Sequence, residues 1–253
     1  MQNEYKFSII TVCKNGEKTI KNTIESMLRQ NLKDYEYIII DGKSSDKTLN
    51  IIDSYKNEFN KNQLKVISEQ DNGIYDAMNK GINISQGELI GIINSDDWYE
   101  DDSLDKVWKI YEVNRIKNVI IYGRANLYIG NILDGSIYLR HEFLRQRMIP
   151  HNGCFVANSV YKKIGLFNCQ YPLAADYDFL LRAMENNIDF IGTDELLANM
   201  REGGASSSMR LYYDNNEIHY RHGIYGKGMY LQKKISITMR ICKENIRKKL
   251  LNV

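Results

Sequence analysis

The stretch "GELIGIINSDDWYEDD", residues 87–102, decides the fold. Its apolar run Leu89-Ile90-Gly91-Ile92-Ile93 reads as a strand over 88–93, buried on both faces. The run stops in Asn94-Ser95-Asp96-Asp97, with more acid at Glu100, Asp101 and Asp102. Like charges crowded at the end of a core strand repel one another, so their presence asks for a reason.

Upstream lie three more β-branched runs, each separated from the next by a helical pattern. FSIITVCKN (7–15) reads as a strand. EKTIKNTIESMLRQ follows as a helix, with Ile20, Ile24, Met27 and Leu28 on one stripe. Tyr37 to Ile40 form a second strand ending in Asp41-Gly42, after which Ser45 or Asp46 caps a helix running to about Asn57. LKVISE (64–69) is a third strand, and GIYDAMNKGINIS is a helix with Ile74, Ala77, Met78 and Ile82 on one side. This β-α-β-α-β-α-β order predicts an α/β fold, a mostly parallel central sheet with helices on both faces.

Beyond residue 103 the pattern is less regular. SLDKVWKIYEVN reads as a helix, NVIIYGRANLYI as one or two strands, GCFVAN as a strand and DYDFLLRAMENN as an amphipathic helix. EGGASSSMR (202–210) has the composition of a flexible loop. From Arg221 to Lys249 basic residues recur, with Glu244 the one acid among them. The expected organisation is one domain over 1–220, with halves at about 1–100 and 101–220, and a basic helical segment over 221–253.

Composition narrows the function classes. A hydrophobic content of 43% supports a real core, and 26% charged residues at net +2 give no footprint for nucleic-acid binding. Cys13, Cys154, Cys169 and Cys242 lie far apart with no CxxC pair, so they read as reduced thiols of a cytoplasmic protein. The N-terminus MQNEYKFSIITV lacks the basic start and long apolar core of a signal peptide. No run reaches the roughly 18 apolar residues of a spanning helix.

In open α/β sheets ligands bind beyond the carboxyl ends of the strands. Three strand ends here are polar: Thr11 to Asn15, Asp41-Gly42 and Asn94 to Asp97. A parallel sheet puts all three on one rim. Adjacent Asp96 and Asp97 suit a hard cation such as Mg²⁺ or Mn²⁺, or else start the next loop and cap its helix. Asp41 suits a ribose or base edge, or opens an Asp-Gly turn. Neither GxGxxG nor GxxxxGK[ST] is present, which leaves a dinucleotide fold and a P-loop unsupported. His219 and His222, at i, i+3, read as a surface pair before a metal pair.

The segments SIITVCKN, YEYIIIDGKSSDKT, ISEQDNGIYDAMNKGINISQGELIGIINSDDW and HNGCFVANSVYKKIGLFNCQYPLAADYDFLLR occur in the order found in family 2 glycosyltransferases. The resemblance covers about residues 5 to 200 and is nearest to the bacterial surface-polysaccharide branch. It implies a GT-A fold and inverting sugar transfer from a nucleotide sugar, often UDP-linked, with Mn²⁺ or Mg²⁺. It implies that Thr11, Val12, Asn15, Asp41 and Ser44 meet the nucleotide, and that Asn79 and Lys80 lie beside the ribose and diphosphate. Asn94-Ser95-Asp96-Asp97 matches the DxD region. Asn94 stands where the family often has Asp, which leaves Asp96 as the metal anchor with Asp97 assisting. Asp176 matches the acid assigned as catalytic base; Asp178 is its rival, about 200° further round a helix. His151 is a candidate contact to donor or acceptor sugar, or orders the loop after Pro150.

Two alternatives share the carboxylates: a sugar nucleotidyltransferase, which would carry a Gly-rich basic loop near its start, and a non-catalytic nucleotide-sugar-binding protein. The basic segment from 221 on, with Ile235, Ile237, Met239, Ile241, Ile246, Leu250 and Leu251, suggests peripheral contact with the inner face of the cell membrane near a polyprenyl-linked acceptor, or packing on a second subunit as a homodimer.

Overall fold

The computed structural model of the chain describes residues 4–203 and 210–251. The expected flexible loop at 202–210 falls largely on 204–209, outside the described residues.

β1 (Tyr5–Cys13), β2 (Tyr35–Asp41), β3 (Leu64–Ser68) and β4 (Gly87–Ile92) align in parallel in the order β3-β2-β1-β4. Their β-branched runs are buried on both faces: Ile9, Ile10, Ile38, Ile39, Ile40, Leu89 and Ile90 are fully enclosed. The crossovers are α1 (Ile20–Arg29), α2 (Thr48–Ser54) and α3 (Ile74–Ile84). In α1 the stripe lies as read, with Ile20, Ile24 and Met27 buried and Leu28 packed at its edge. Asp46 accepts from the Thr48 amide at 3.0 Å at the start of α2. That helix ends at Ser54, short of Asn57, and a 3₁₀ turn follows. In α3 the inward side chain of the first turn is Tyr75, while Ile74 is exposed.

The later strands extend the same sheet. β5 (Trp98–Tyr99), α4 (Ser103–Asn114), β6 (Val119–Ile129) and β7 (Ile132–Ile137) follow, then β8 (Cys154–Ala157), α5 (Asn158–Ile164), α6 (Ala175–Glu185) and β9 (Asp189–Arg201). Among the described residues the strands form one sheet in the order β3-β2-β1-β4-β8-β6-β9-β5, with β7 paired to β6 as a hairpin. NVIIYGRANLYI is a single strand. β8 enters antiparallel between β4 and β6, while β6 and β9 run parallel, so the parallel character belongs to β1–β4 and the β6–β9 pair. α7 (Leu211–Arg221) and α8 (Lys227–Leu251) close the chain and pack on each other through Tyr230 Oη donating to Glu217 at 2.8 Å. Cys13 and Cys154 are buried free thiols, and Cys169 and Cys242 are exposed ones.

β1 and β4 approach too closely for a side chain at residue 87. A Cβ on Gly87 would sit 2.3 Å from the Ser8 amide nitrogen and 2.4 Å from the Phe7 carbonyl carbon, both main chain. Gly87→Ala therefore destabilises by about 1–3 kcal/mol through overpacking, whereas Gly135→Ala, in open space, stays within about 0.5 kcal/mol. Urea melts of the two variants check this.

Candidate active site

The rim carries two linked clusters. The first is centred on Asp41, fully buried at the end of β2 opposite Cys13. Its carboxylate accepts from the Ser44 amide and hydroxyl, and from the Ser68 hydroxyl at 2.6 Å. Asn15, in the left-handed region at φ 53°, stitches the first-strand loop to the second. Its amide donates to Ser44 Oγ at 2.8 Å, and its Oδ1 accepts from the Ser45 amide at 2.8 Å. Thr11 and Val12 are buried beneath, with Tyr37 Oη donating to Thr11 Oγ1 at 3.0 Å. Gly16 brings this loop against the next, since a Cβ there would lie 3.3 Å from Ser95 Oγ. Asp71 belongs to the same rim, packed against Gly42 so closely that a Cβ on that glycine would collide with its carboxylate.

The second cluster begins at Asn94–Asp97. Asp97 is buried. Its Oδ2 accepts from Asn152 Nδ2 at 2.5 Å and from Asn94 Nδ2 at 3.2 Å, and its Oδ1 from the Arg201 amide at 2.9 Å. Asp97 thereby ties the end of β4 to the segment before β8 and to the end of β9. Burial first, and the neighbouring Asp96 second, push its pKa up. Burial raises Asp96 as well, against the favourable fields of Arg201 and His151. The Arg201 guanidinium donates to the Asp96 carbonyl at 2.5 Å and stacks 4.6 Å from the centre of the Trp98 ring. With Asp97 engaged on both oxygens, Asp96 is the acid left for a ligand.

The next link is the dipeptide His151-Asn152. While Asn152 holds Asp97, His151 Nδ1 lies 3.2 Å from Asp176 Oδ2. Asp176, in the first turn of α6, is buried. Its Oδ1 accepts from Tyr75 Oη at 2.6 Å and from the Tyr177 amide at 2.9 Å. Asn94 Oδ1, His151 Nε2 and Asn152 Oδ1 are buried polar atoms with no hydrogen-bond partner among the described residues. Native structures leave few such atoms bare, so these ask for ligand atoms or water.

The structure does not bring every expected residue here. The Asn79 amide is committed to Phe167, donating to its carbonyl at 2.9 Å and accepting from its amide at 3.0 Å. Lys80 is held by Glu69 at 2.9 Å and by the Gln70 carbonyl at 2.8 Å. α6 has begun by Asp176, so Asp178 faces away from it. Asp178 pairs with Arg182 at 2.8 Å and with His222 Nε2 at 3.1 Å. His219 and His222 are not a surface pair: His219 Nε2 meets Tyr177 Oη at 3.0 Å, and the enclosed His222 bridges Asp178 and Glu185. Tyr75, Asn152 and Arg201 are site residues that the pattern reading missed. Tyr75 alone left a trace there, at i, i+3, i+7 with Met78 and Ile82.

Residues 8–163 match the sequence pattern of glycosyl transferase family 2. The chain belongs to that family. It is 29% identical over 181 residues to a PGL/p-HBAD biosynthesis glycosyltransferase of Mycobacterium tuberculosis, covering 71% of this chain and 70% of that one. In structure it is similar to S. aureus TarS 1–349 in complex with UDP-GlcNAc, with TM-score 0.69, 19% identity, and 90% and 69% of the two chains covered. It spans 39% of a longer TarS chain. It is also similar to the mannosyltransferase PcManGT from Pyrobaculum calidifontis in complex with GDP-Man and Mn²⁺, with TM-score 0.67, 14% identity, and coverage of 92% and 70%. The fold is GT-A, and the chain is a family 2 glycosyltransferase; the nucleotidyltransferase alternative loses its basis.

The donor atoms fit a hard divalent cation. Asp96 offers a carboxylate, and Asn94 Oδ1 and Asn152 Oδ1 are unpartnered oxygens. Among the described residues no three His, Cys, Asp or Glu side chains converge to hold a metal ion, so the remaining ligands of such a cation would be donor phosphate oxygens and water.

Behind the site, His222 titrates as a latch between α6 and the end of α7. The Asp178 hydrogen bond first, helped by Glu185, raises its pKa above the ordinary imidazole value against the opposing effect of burial. A raised histidine contributes its stability in full below about pH 6.5 and loses it as pH climbs through the raised value. The melting temperature of the wild type should fall between about pH 6 and about pH 9 by more than that of His222→Gln, at about 2–4 °C per kcal/mol. Parallel slopes in calorimetry would refute the latch.

Proposed function

We propose that this glycosyltransferase moves a hexosyl or N-acetylhexosaminyl group from a UDP-sugar to a saccharide hydroxyl, with inversion at the anomeric carbon. The acceptor is a polyprenyl-linked saccharide of cell-surface polysaccharide synthesis. One observation carries the reading: the dipeptide His151-Asn152 joins the acids of the nucleotide rim to the acid on α6, so donor and acceptor groups belong to one connected site. The neighbours solved with UDP-GlcNAc, and with GDP-Man and Mn²⁺, support a nucleotide-sugar donor and a divalent cation.

The residues divide the work. The half at 1–100 presents the rim loops around Asp41, Ser44, Asn15 and Ser95 to the nucleotide. The half at 101–220 supplies His151 and Asp176, whose carboxylate serves general-base catalysis on the acceptor hydroxyl, worth about 10²–10⁴-fold. Mn²⁺ or Mg²⁺, when bound at Asp96, supplies Lewis-acid neutralisation of the leaving diphosphate.

A thermal-shift series with UDP, UDP-glucose, UDP-GlcNAc and GDP-mannose, with and without Mn²⁺, tests the donor class. A ligand held by the native state raises the melting temperature by mass action. UDP-sugars should stabilise more with Mn²⁺ present, and Asp96→Asn should remove that increment while its unliganded melt stays cooperative. No response to any nucleotide sugar, or an unchanged Mn²⁺ increment in Asp96→Asn, sinks the assignment. Binding without sugar transfer would favour the non-catalytic alternative.

The basic segment from 221 on fits an anionic membrane surface at the inner face of the cell membrane. Among the described residues no helix is long and apolar enough to cross a membrane. α8 instead exposes Met229, Leu231, Ile235 and Met239 beside Lys233, Lys234, Arg240 and Lys243. Ile237 and Ile241 are half-buried, and the side chains of Ile246, Leu250 and Leu251 lie outside the described residues. Each basic residue at such a surface contributes about 1 kcal/mol. The protein should float with phosphatidylglycerol liposomes at low salt and be released as salt rises. Failure to float at any salt, with a dimer in sedimentation, assigns this face to a second subunit.

A further inference from the structure

We infer that Tyr75 is a positioning residue of the transfer step: it holds the Asp176 carboxylate so that Oδ2 is the oxygen that takes the acceptor proton. This deepens the transferase reading and rests on it. The claim stands on how the two carboxylate oxygens are occupied. A carboxylate offers about four acceptor positions, two on each oxygen. On Asp176, Oδ1 has both filled, by Tyr75 Oη at 2.6 Å and the Tyr177 amide at 2.9 Å. Oδ2 has one neighbour among the described residues, His151 Nδ1 at 3.2 Å. One acceptor position therefore remains open, and it lies on Oδ2. That oxygen faces the His151-Asn152 dipeptide, which leads on to Asp97.

Tyr75 reaches Asp176 across 101 positions of sequence. It stands in the first turn of α3, just past Gly73, whose φ of 116° turns the chain into that helix. The same loop carries Asp71, packed against Gly42 beside Asp41. The Tyr75 ring rests on Phe167, centroids 5.4 Å apart, and is 7% exposed, so its hydroxyl has a fixed place. Burial first, and the Asp176 charge second, hold the hydroxyl proton well above the ordinary phenol range, so Tyr75 stays a donor. Tyr55, Tyr111 and Tyr230 also donate to carboxylates, but Glu25, Glu88 and Glu217 are half-buried, whereas Asp176 is buried. A buried acid has no water to fall back on, so its donors decide how it is turned.

The step balances. The acceptor oxygen forms its bond to the anomeric carbon as the bond from that carbon to the phosphate oxygen breaks. The nucleoside diphosphate departs with that electron pair. The acceptor's proton moves to Oδ2 of Asp176, while Tyr75 and the Tyr177 amide remain on Oδ1. Proton release from Oδ2 to solvent restores the base.

Two measurements test this. The first follows UDP release from UDP-GlcNAc with Mn²⁺, water serving as acceptor. Tyr75→Phe keeps the ring that packs on Phe167 and removes only the donor. It should lower kcat by about 10–10²-fold and leave KM for UDP-GlcNAc within about threefold. In an Asp176→Asn background the same change should cost less than about twofold, since Tyr75 acts only through the carboxylate. Normal kcat in Tyr75→Phe, or equal losses in the two backgrounds, overturns the proposal. The second measurement needs no turnover. In crystals of Tyr75→Phe the Asp176 carboxylate should turn away from the setting it has in wild-type crystals, while the ring at position 75 stays against Phe167. A carboxylate that keeps its wild-type setting refutes the positioning role whatever the activity. Wild-type protein that binds neither UDP nor UDP-GlcNAc overturns the transferase reading instead and leaves the crystal result standing.

Discussion

The buried carboxylate of Asp97 is the joint on which the site depends. Three segments far apart in sequence donate to its two oxygens: the end of β4 through Asn94, the approach to β8 through Asn152, and the end of β9 through the Arg201 amide. Remove its acceptors and three donors in an enclosed place lose their partners together, each at about 1–3 kcal/mol. The three segments would then lose their common anchor.

That joint also decides the division of labour between adjacent acids. Asp96 and Asp97 look equivalent in sequence, and the DxD resemblance pairs them. Asp97 turns inward to serve as an acceptor for amides, while Asp96 is half-buried, with the Arg201 guanidinium bonded to its carbonyl and stacked on Trp98. Asp41 repeats the pattern on the neighbouring strand. Its carboxylate accepts from Ser44 and Ser68, so it shapes the loop after β2 and, through Ser44, the position of Asn15. Two of the acids that stand out in the sequence thus act as scaffolding for less conspicuous neighbours.

The first hundred residues were legible because one period governs each element. Uninterrupted β-branched runs alternate with helical stripes, and a parallel sheet then puts the loop ends on one rim without further information. The second half was less legible because its order depends on partners distant in sequence. Nothing in GCFVAN says that it will insert antiparallel between β4 and β6. Tyr75 and Ile74 both fit a helical stripe; the choice falls to Tyr75 because its hydroxyl finds Asp176 across 101 positions. Asn152, Arg201 and His222 carry no local pattern at all. Their roles arise from hydrogen bonds closed by the fold, which period and spacing do not encode.

A second buried carboxylate shows what the rim forgoes. Glu36, fully buried near the opposite ends of the strands, accepts from Ser8 Oγ at 2.5 Å, the Gln86 amide at 2.5 Å and Lys65 Nζ at 2.7 Å. There the fold brings a lysine to a buried acid. At the rim Asp97 is met by neutral amides with Asp96 beside it, and burial raises both against the opposing field of Arg201 at Asp96. Removing one charge or importing a cation would stabilise that rim. A local electrostatic cost kept on the face where parallel strands present their ligands, and relieved at Glu36 in the same sheet, supports the proposed cation and diphosphate site.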